Sequence, residues 1–243
     1  MRTFVIGDIH GGFKALIQVL NQLEIQDEDT LIFLGDYVDG WSESAQVIQF
    51  LIELSEKIHC IFIKGNHDVW CEEWLKSDKV NPTWYIHGGK ETMESYIGFS
   101  KENKELHFQF FQNMPLYHID DKNRLFIHAG FTSMHGVEKE VFKETFYFDR
   151  TLWEMALSLD KNLDVNSELY PNRLKHYSEI FIGHTPTINF NSYEPMHAAN
   201  VWNIDTGATF YGKLTGMNID TKVFFQSDVV KTLYPNEMGR NKF

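Results

Sequence analysis

Five short stretches of the chain set a glycine close to residues that can hold a cation. They are Gly7-Asp8-Ile9-His10-Gly11, Gly35-Asp36-Tyr37-Val38-Asp39, Gly65-Asn66-His67-Asp68, His128-Ala129-Gly130 and Gly183-His184-Thr185-Pro186. Carboxylate oxygen, amide oxygen and imidazole nitrogen make a mixed hard and borderline donor set, with no thiolate. Such a set suits Mn²⁺, Fe or Zn²⁺ better than Ca²⁺ or a structural zinc. Asp8 and His10, two residues apart, can point to the same side of an extended segment and chelate one ion.

Each stretch follows a short apolar run, at residues 3–7, 30–34, 60–64, 124–127 and 180–182. Such runs read as buried strands, and in an open α/β sheet ligands bind where strands end. Between the first two runs, Phe13, Leu16, Ile17, Leu20 and Leu23 recur at helical spacing. Val47, Ile48, Leu51 and Leu54 repeat the pattern, with Ser42 or Ser44 expected to cap that helix. The alternation predicts βαβ units. Residues 70–113 read as helices and loops forming a lid-like region. Further strands are expected at 116–119, 125–128, 180–183, 201–204, 213–219 and 222–226, the later ones antiparallel. The expectation is one domain over residues 1–243, α/β in class, with a mixed central β-sheet sandwich flanked by helices.

The 243 residues are 43% hydrophobic, enough for a sizeable core. A net charge of -12 opposes the phosphate contacts that dominate nucleic-acid binding, so no nucleic-acid partner is expected. No apolar run is long enough for a membrane span of about 18 residues or more, so no membrane partner is expected either. Met1-Arg2-Thr3 leads directly into a strand-like run without signal-peptide architecture, which predicts a chain that starts at Met1 in the cytoplasm. Cys60 and Cys71 are too few for a disulfide framework and fit a reducing setting.

Taken in order, Gly-Asp-x-His-Gly, Gly-Asp-x-x-Asp, Gly-Asn-His-Asp, His-Ala-Gly and Gly-His-Thr-Pro resemble the motifs of the calcineurin-like metallophosphoesterases. The resemblance spans residues 4 to about 219. Pro186 stands where many phosphodiesterase branches carry a second histidine, which favours the branch of bacterial serine/threonine phosphoprotein phosphatases and diadenosine tetraphosphatases. Residues 203–208 with 212–215, and Gly88-Gly89 with Thr92 and Ser95-Tyr96, are similar to further segments of that branch.

The resemblance implies two divalent metal ions, Mn²⁺ first. One would take Asp8, His10 and bridging Asp36; the other would take Asp36, Asn66, His128 and His184. His87, in a His-Gly-Gly of its own, competes with His128, but only His128 follows a strand. Two ions about 3.5–4 Å apart would supply a bridging hydroxide for direct attack on phosphorus. His67 would protonate the leaving oxygen and Asp39 would orient it. The implied activity is hydrolysis of phosphomonoesters, phosphoserine and phosphothreonine in proteins or small phosphoesters; the alternative is hydrolysis of dinucleoside polyphosphates.

One position departs from the pattern. Relatives carry arginine after the second aspartate, where its fork can bind two phosphate oxygens, and this chain has Gly40. Arg150 is the first candidate to replace it and Arg173 the second. Trp41 is expected to shape the mouth of the site; Trp70, Trp74, Trp84 and Tyr85 are assigned to core or lid packing.

Overall fold

A computed structural model describes residues 1–241. In chain order, β1 (Thr3–Ile6), α1 (Phe13–Leu23), β2 (Thr30–Phe33), α2 (Ser44–Ser55) and β3 (His59–Phe62) form two successive βαβ units. Helices α3 (Asn66–Ser77), α4 (Pro82–Trp84), α5 (Lys90–Ser95) and α6 (Lys101–Gln112) follow, with a π-turn at Tyr85–Gly89. Next come β4 (Tyr117–Ile119), β5 (Arg124–Ile127), α7 (Thr145–Phe148), α8 (Thr151–Ser158), α9 (Asn172–Lys175) and β6 (Glu179–Ile182). The remaining strands are β7 (Met196–Ala198), β8 (Val201–Asn203), β9 (Thr215–Asn218) and β10 (Phe224–Gln226).

Among the described residues the strands form two mixed five-stranded sheets, in the orders β10-β9-β1-β2-β3 and β4-β5-β6-β8-β7. The strand side chains show how the sheets are covered. Val5, Ile32, Phe126, Phe181 and Met217 share one core between the sheets. Their strand neighbours Phe4, Ile6, Leu31 and Phe33 turn outward into the cluster with α1 and α2, while Leu125, Ile127, Ile180 and Ile182 turn toward α8. Burial on both faces is why these strands read as continuous apolar runs with no polar alternation.

The expectation of antiparallel later strands holds only in part. β9 pairs antiparallel with β1 and β10, and β4 and β7 are antiparallel edges, but β5, β6 and β8 run parallel. The chain between β5 and β6 carries α7, α8 and α9, a crossover of the length that parallel pairing requires. The short edge strand β7 was too brief to leave a periodic signal. Neither Ser42 nor Ser44 caps α2, whose first turn has no side-chain cap. Ser44 Oγ instead accepts a hydrogen bond from Asp39 N at 3.2 Å, so the serine serves the neighbouring loop.

Parallel β1, β2 and β3 in one sheet and β5, β6 and β8 in the other send their carboxyl ends toward the loops that carry the five motifs. Phe126 and Phe181, stacked at 5.0 Å on the neighbouring strands β5 and β6, pack against Val5, Ile32 and Met217 of the other sheet and so hold the two sets of strand ends together. Phe181→Ala should therefore lower unfolding free energy by about 3–5 kcal/mol in a urea titration. Phe225→Ala, on the half-exposed edge strand β10, should stay within about 1 kcal/mol of the parent protein.

Candidate metal centre

The loop after β2 is the hub. Asp68, in the first turn of α3, accepts backbone hydrogen bonds from Asp36 N (2.8 Å), Tyr37 N (2.9 Å) and Gly65 N (2.8 Å). The loop after β1 is tied to the same place, with Ile9 N and His10 N both donating to Asp36 O at 3.0 and 2.9 Å. His10, Asp36, Asp39 and His184 all adopt left-handed backbone conformations, with φ between 52° and 75°. Non-glycine residues rarely adopt this conformation, and it costs roughly 1–3 kcal/mol at each position, so the surrounding hydrogen bonds must hold it.

Asp8, His10, Asp36, Asn66, His67, His128 and His184 are all buried or nearly so. His10 Nδ1 faces the carbonyls of Val38 and Asp39 at 3.1 and 3.0 Å, leaving Nε2 3.6 Å from Asp36 Oδ2. His128 Nδ1 donates to Leu34 O at 2.7 Å, and its Nε2 lies 3.4 Å from Asp36 Oδ2 and 3.2 Å from Asn66 Oδ1. A backbone carbonyl on one ring nitrogen orients the other toward a metal. Two clusters of donor atoms result, His10 with Asp36 and His67, and Asp36 with His128 and His184, each spanning less than 4.8 Å. Asp36 belongs to both.

Asp8 Oδ1 and His184 Nε2 are buried with no hydrogen-bond partner among the described residues. Orphaned polar atoms of this kind are costly unless something absent from the chain satisfies them. Asp8 is held by His184 N, which donates to its other oxygen at 3.0 Å, and Gly183 lets the strand come this close: a Cβ there would fall onto Asp8 Oδ1. The donor set thus fits divalent cations.

Electrostatics say the same. Burial works against the Asp36 carboxylate, yet facing His128, His67 and His10 hold it well below the usual carboxylate range. Burial, with Asp205 and Asp36 nearby, pushes Asp8 well up, and burial pushes Asp205 up to about 6. Carboxylates crowded in a dry site raise one another in this way when no cation is between them.

His67 differs from the other imidazoles of the site in its partners, a carboxylate on one nitrogen and a guanidinium on the other. Nδ1 is 2.6 Å from Asp39 Oδ2, and Nε2 is 2.9 Å from Arg240 Nη1. A guanidinium can only donate, so Nε2 accepts and Nδ1–H donates to Asp39. Burial is the main cause that pushes the ring down to about 3; Asp36 opposes it, while Arg240, His128 and His87 add to the fall. With a carboxylate on Nδ1 and a cationic guanidinium facing Nε2, His67 is better suited to proton transfer than to metal ligation, and the first cluster is left to His10 and Asp36 with Asp8 beside them.

Asp39 is positioned from the helical segment after β3. Thr92 Oγ1 donates to Asp39 Oδ1 at 2.6 Å and Trp84 Nε1 donates to Oδ2 at 2.7 Å. This is where Trp84, Thr92 and the adjacent glycines find their use. Trp74 is buried and Tyr85 exposed, while Trp70 lines the cavity. His87 is half-buried at the cavity wall, apart from the Asp36 clusters. Trp41 does not shape the mouth: it is fully buried, with Nε1 donating to Ala208 O at 2.9 Å.

A cavity of about 280 Å³ opens over these groups, lined in part by His10, Asp36, Asn66, His184, Arg150 and Arg240. Arg150 reaches it from the start of α8, with Nη1 3.4 Å from Thr185 Oγ1. Arg173 does not: it donates to Phe131 O at 2.7 Å and Thr151 Oγ1 at 3.1 Å, because its place on α9 faces the base of α8. Sequence reasoning missed Asp68, Asp205 and Arg240. Asp68 stands inside the third motif and Asp205 inside a noted segment, whereas nothing near Arg240 in the sequence marks it.

The family model for calcineurin-like phosphoesterases matches residues 1–211. The chain belongs to that family. As a calcineurin-like phosphoesterase it is a hydrolase of a family that uses divalent metals. It is similar to bis(5'-nucleosyl)-tetraphosphatase PrpE [asymmetrical] of Oceanobacillus iheyensis, 28% identical over 92% of this chain and 91% of that relative. A Bacillus cereus protein of the same name is 30% identical over 89% and 90%. Among solved structures, a putative diadenosine tetraphosphatase superposes with TM-score 0.63 at 16% identity, covering 93% of this chain and 92% of that one. A protein serine/threonine phosphatase from Saccharomyces cerevisiae gives 0.61 at 16% identity, covering 94% and 80%. At these identities the structural likenesses speak for the phosphoesterase fold. No helix among the described residues is long and apolar enough to cross a membrane.

Thr92→Val keeps the shape but removes the hydroxyl that serves Asp39. Leaving buried groups unsatisfied should cost about 1–3 kcal/mol in unfolding free energy. The same change should shift the downfield proton resonance of His67 Nδ1–H; an unchanged resonance would show that Thr92 does not control the Asp39–His67 pair.

Proposed function

We propose that this phosphoesterase hydrolyses dinucleoside polyphosphates at a two-metal centre. The observation that carries the reading is similarity to named bis(5'-nucleosyl)-tetraphosphatases along about nine-tenths of both chains. This favours the alternative over phosphoprotein hydrolysis, since likeness to the yeast phosphatase extends to fold alone. Two guanidinium groups in one cavity also suit a ligand that carries several phosphates. On this reading residues 1–243 act as one catalytic unit, and the unbonded thiols Cys60 and Cys71 agree with a cytoplasmic setting.

Asp8, His10 and Asp36 would hold one ion, and Asp36, Asn66, His128 and His184 the other, Mn²⁺ by preference with Fe or Zn²⁺ also suited to the donors. When bound, the ions supply an activated water and neutralise charge on the phosphoryl oxygens. The chain does the rest. Asp36, anchored through Asp68, keeps both donor clusters in one geometry. Burial of the strand ends keeps bulk water from screening the charges. Asp39 holds the His67 ring through Nδ1, and His67 Nε2, which carries no proton while Arg240 donates to it, would first take up a proton from water and then pass it to the departing oxygen.

With Mn²⁺ present, the purified protein should hydrolyse diadenosine tetraphosphate with a kcat/KM at least about tenfold above that for phosphoserine peptides, a difference of about 1.4 kcal/mol in transition-state stabilisation. A preference for the phosphopeptides would overturn the substrate reading. Asp36→Ala should lose bound metal by elemental analysis as well as turnover; His67→Ala should keep metal and lose chiefly kcat. Full metal content in Asp36→Ala would refute the shared-ligand assignment.

A further inference from the structure

Gly40 leaves a space beside Asp39, and the far end of the chain fills it. A Cβ built on Gly40 would sit 3.6 Å from Arg240 Cγ and 2.8 Å from Thr209 Oγ1, so any side chain at 40 would begin in the volume that the Arg240 stem and Thr209 take up. The backbone there has φ +119°, a conformation that L side chains rarely adopt. Arg240 runs from this space to His67, with Nη1 2.9 Å from the ring Nε2.

The tail is fastened to residues immediately after Gly40. Trp41 stacks on Tyr234 at 5.2 Å, and Ser42 N and Oγ donate to the two Glu237 carboxylate oxygens at 3.0 and 2.7 Å. Gly239 lies against the Trp41 ring, so close that a Cβ would come within 2.8 Å. Arg240 N donates to Thr209 O at 3.1 Å, and its guanidinium stands 5.6 Å from the Phe210 ring. The backbone on both sides of the arginine is held, so the guanidinium is delivered with little conformational freedom left to lose on binding.

The guanidinium itself is not directly paired, although Asp36, Asp39 and Asp205 lie within electrostatic range. Arg240 forms no ion pair with a carboxylate among the described residues, although it is half-buried in a cavity next to Asp36 and Asp205. Beside it, Thr209 Oγ1 is buried without a hydrogen-bond partner among the described residues and lines the same cavity. A cation without a carboxylate and an unused hydroxyl, side by side at the candidate metal centre, are what an anionic oxygen requires.

The geometry points to Arg240, carried in by the C-terminal tail, as the residue that holds the substrate's phosphoryl oxygens in place of a side chain at Gly40, with Thr209 as a second donor. This rests on the reading of the cavity as a phosphate-ester site. It also gives His67 a reason for its resting contact: while Arg240 donates to Nε2, that nitrogen faces no substrate. A phosphoryl group that takes up the guanidinium releases it. Arg240 is then a substrate-binding residue that in addition controls access to the proton-transfer atom, and Trp41 is the anchor of the tail that carries it.

The decisive measurement is calorimetric titration of the Mn²⁺-loaded protein with inorganic phosphate, which needs no turnover. Arg240→Ala should weaken phosphate at least about tenfold, the loss expected for one charge-assisted contact. Arg240→Lys should recover part of the affinity, and removal of residues 239–243 should match the alanine variant. With p-nitrophenyl phosphate, Arg240→Ala should raise KM by a similar factor, and added guanidinium ion should restore part of the loss, an effect that a merely structural role would not produce. Metal content and melting temperature should remain near those of the parent protein. Equal phosphate affinity in Arg240→Ala and parent, or a loss matched by loss of metal, would overturn the assignment. A parent protein that binds phosphate yet fails to cleave diadenosine tetraphosphate would sink the substrate reading alone, leaving Arg240 to be judged by the titration.

Discussion

Everything at the site depends on Asp36 being kept as a buried carboxylate. A charge this far from water is held only by opposite charge and by directed donors. His10, His128 and His67 surround it, His67 N donates to its Oδ1 at 3.0 Å, and Asp68 fixes its backbone from behind. The carboxylates of Asp8 and Asp205 stand close enough to repel it. A cluster with this much negative charge and two orphaned ligand atoms is incomplete by itself, and divalent cations are the species that complete it.

The fold bears the cost of the arrangement in its backbone. His10, Asp36, Asp39 and His184 sit in left-handed conformations that few non-glycine residues adopt. Each is held by structure from elsewhere: the loops after β1 and β2 are hydrogen-bonded to one another, Asp39 is held by Thr92 and Trp84, and His184 N is tied to Asp8. The helices after β3 are therefore a buttress for the Asp39–His67 pair, besides supplying Thr83 and His87 to the cavity wall. The sandwich core serves the same end, since Phe126 and Phe181 of one sheet pack against Val5, Ile32 and Met217 of the other, behind the strand ends that carry the site.

The chain differs from its family's motif at Gly40, and the difference is compensated over a sequence distance of two hundred residues. A glycine opens a space, a tryptophan next to it gives the tail a surface to pack on, and an arginine near the end of the tail enters the space. A guanidinium thus reaches the site from a distant part of the chain. Residues 212–240 pack back onto the first βαβ unit through β9, β10, Tyr234 and Glu237, which brings the tail to this point.

Much could be read from the sequence because it is local. Apolar runs of four or five residues followed by glycine and a ligand-type side chain mark strand ends, and strand ends are where such folds keep their chemistry. The family, the mixed α/β architecture and the seven buried polar residues now gathered at the centre were legible for that reason. What no local pattern could tell was decided by packing: that β5, β6 and β8 run parallel, that Ser44 serves Asp39 and not its own helix, that Trp41 faces inward, and that Arg173 points away while Arg150 reaches the cavity. Motifs record what each strand end can bind. The identity of the cation beside Asp39 is a long-range contact between residues 40, 67 and 240, and only the folded chain brings those three together.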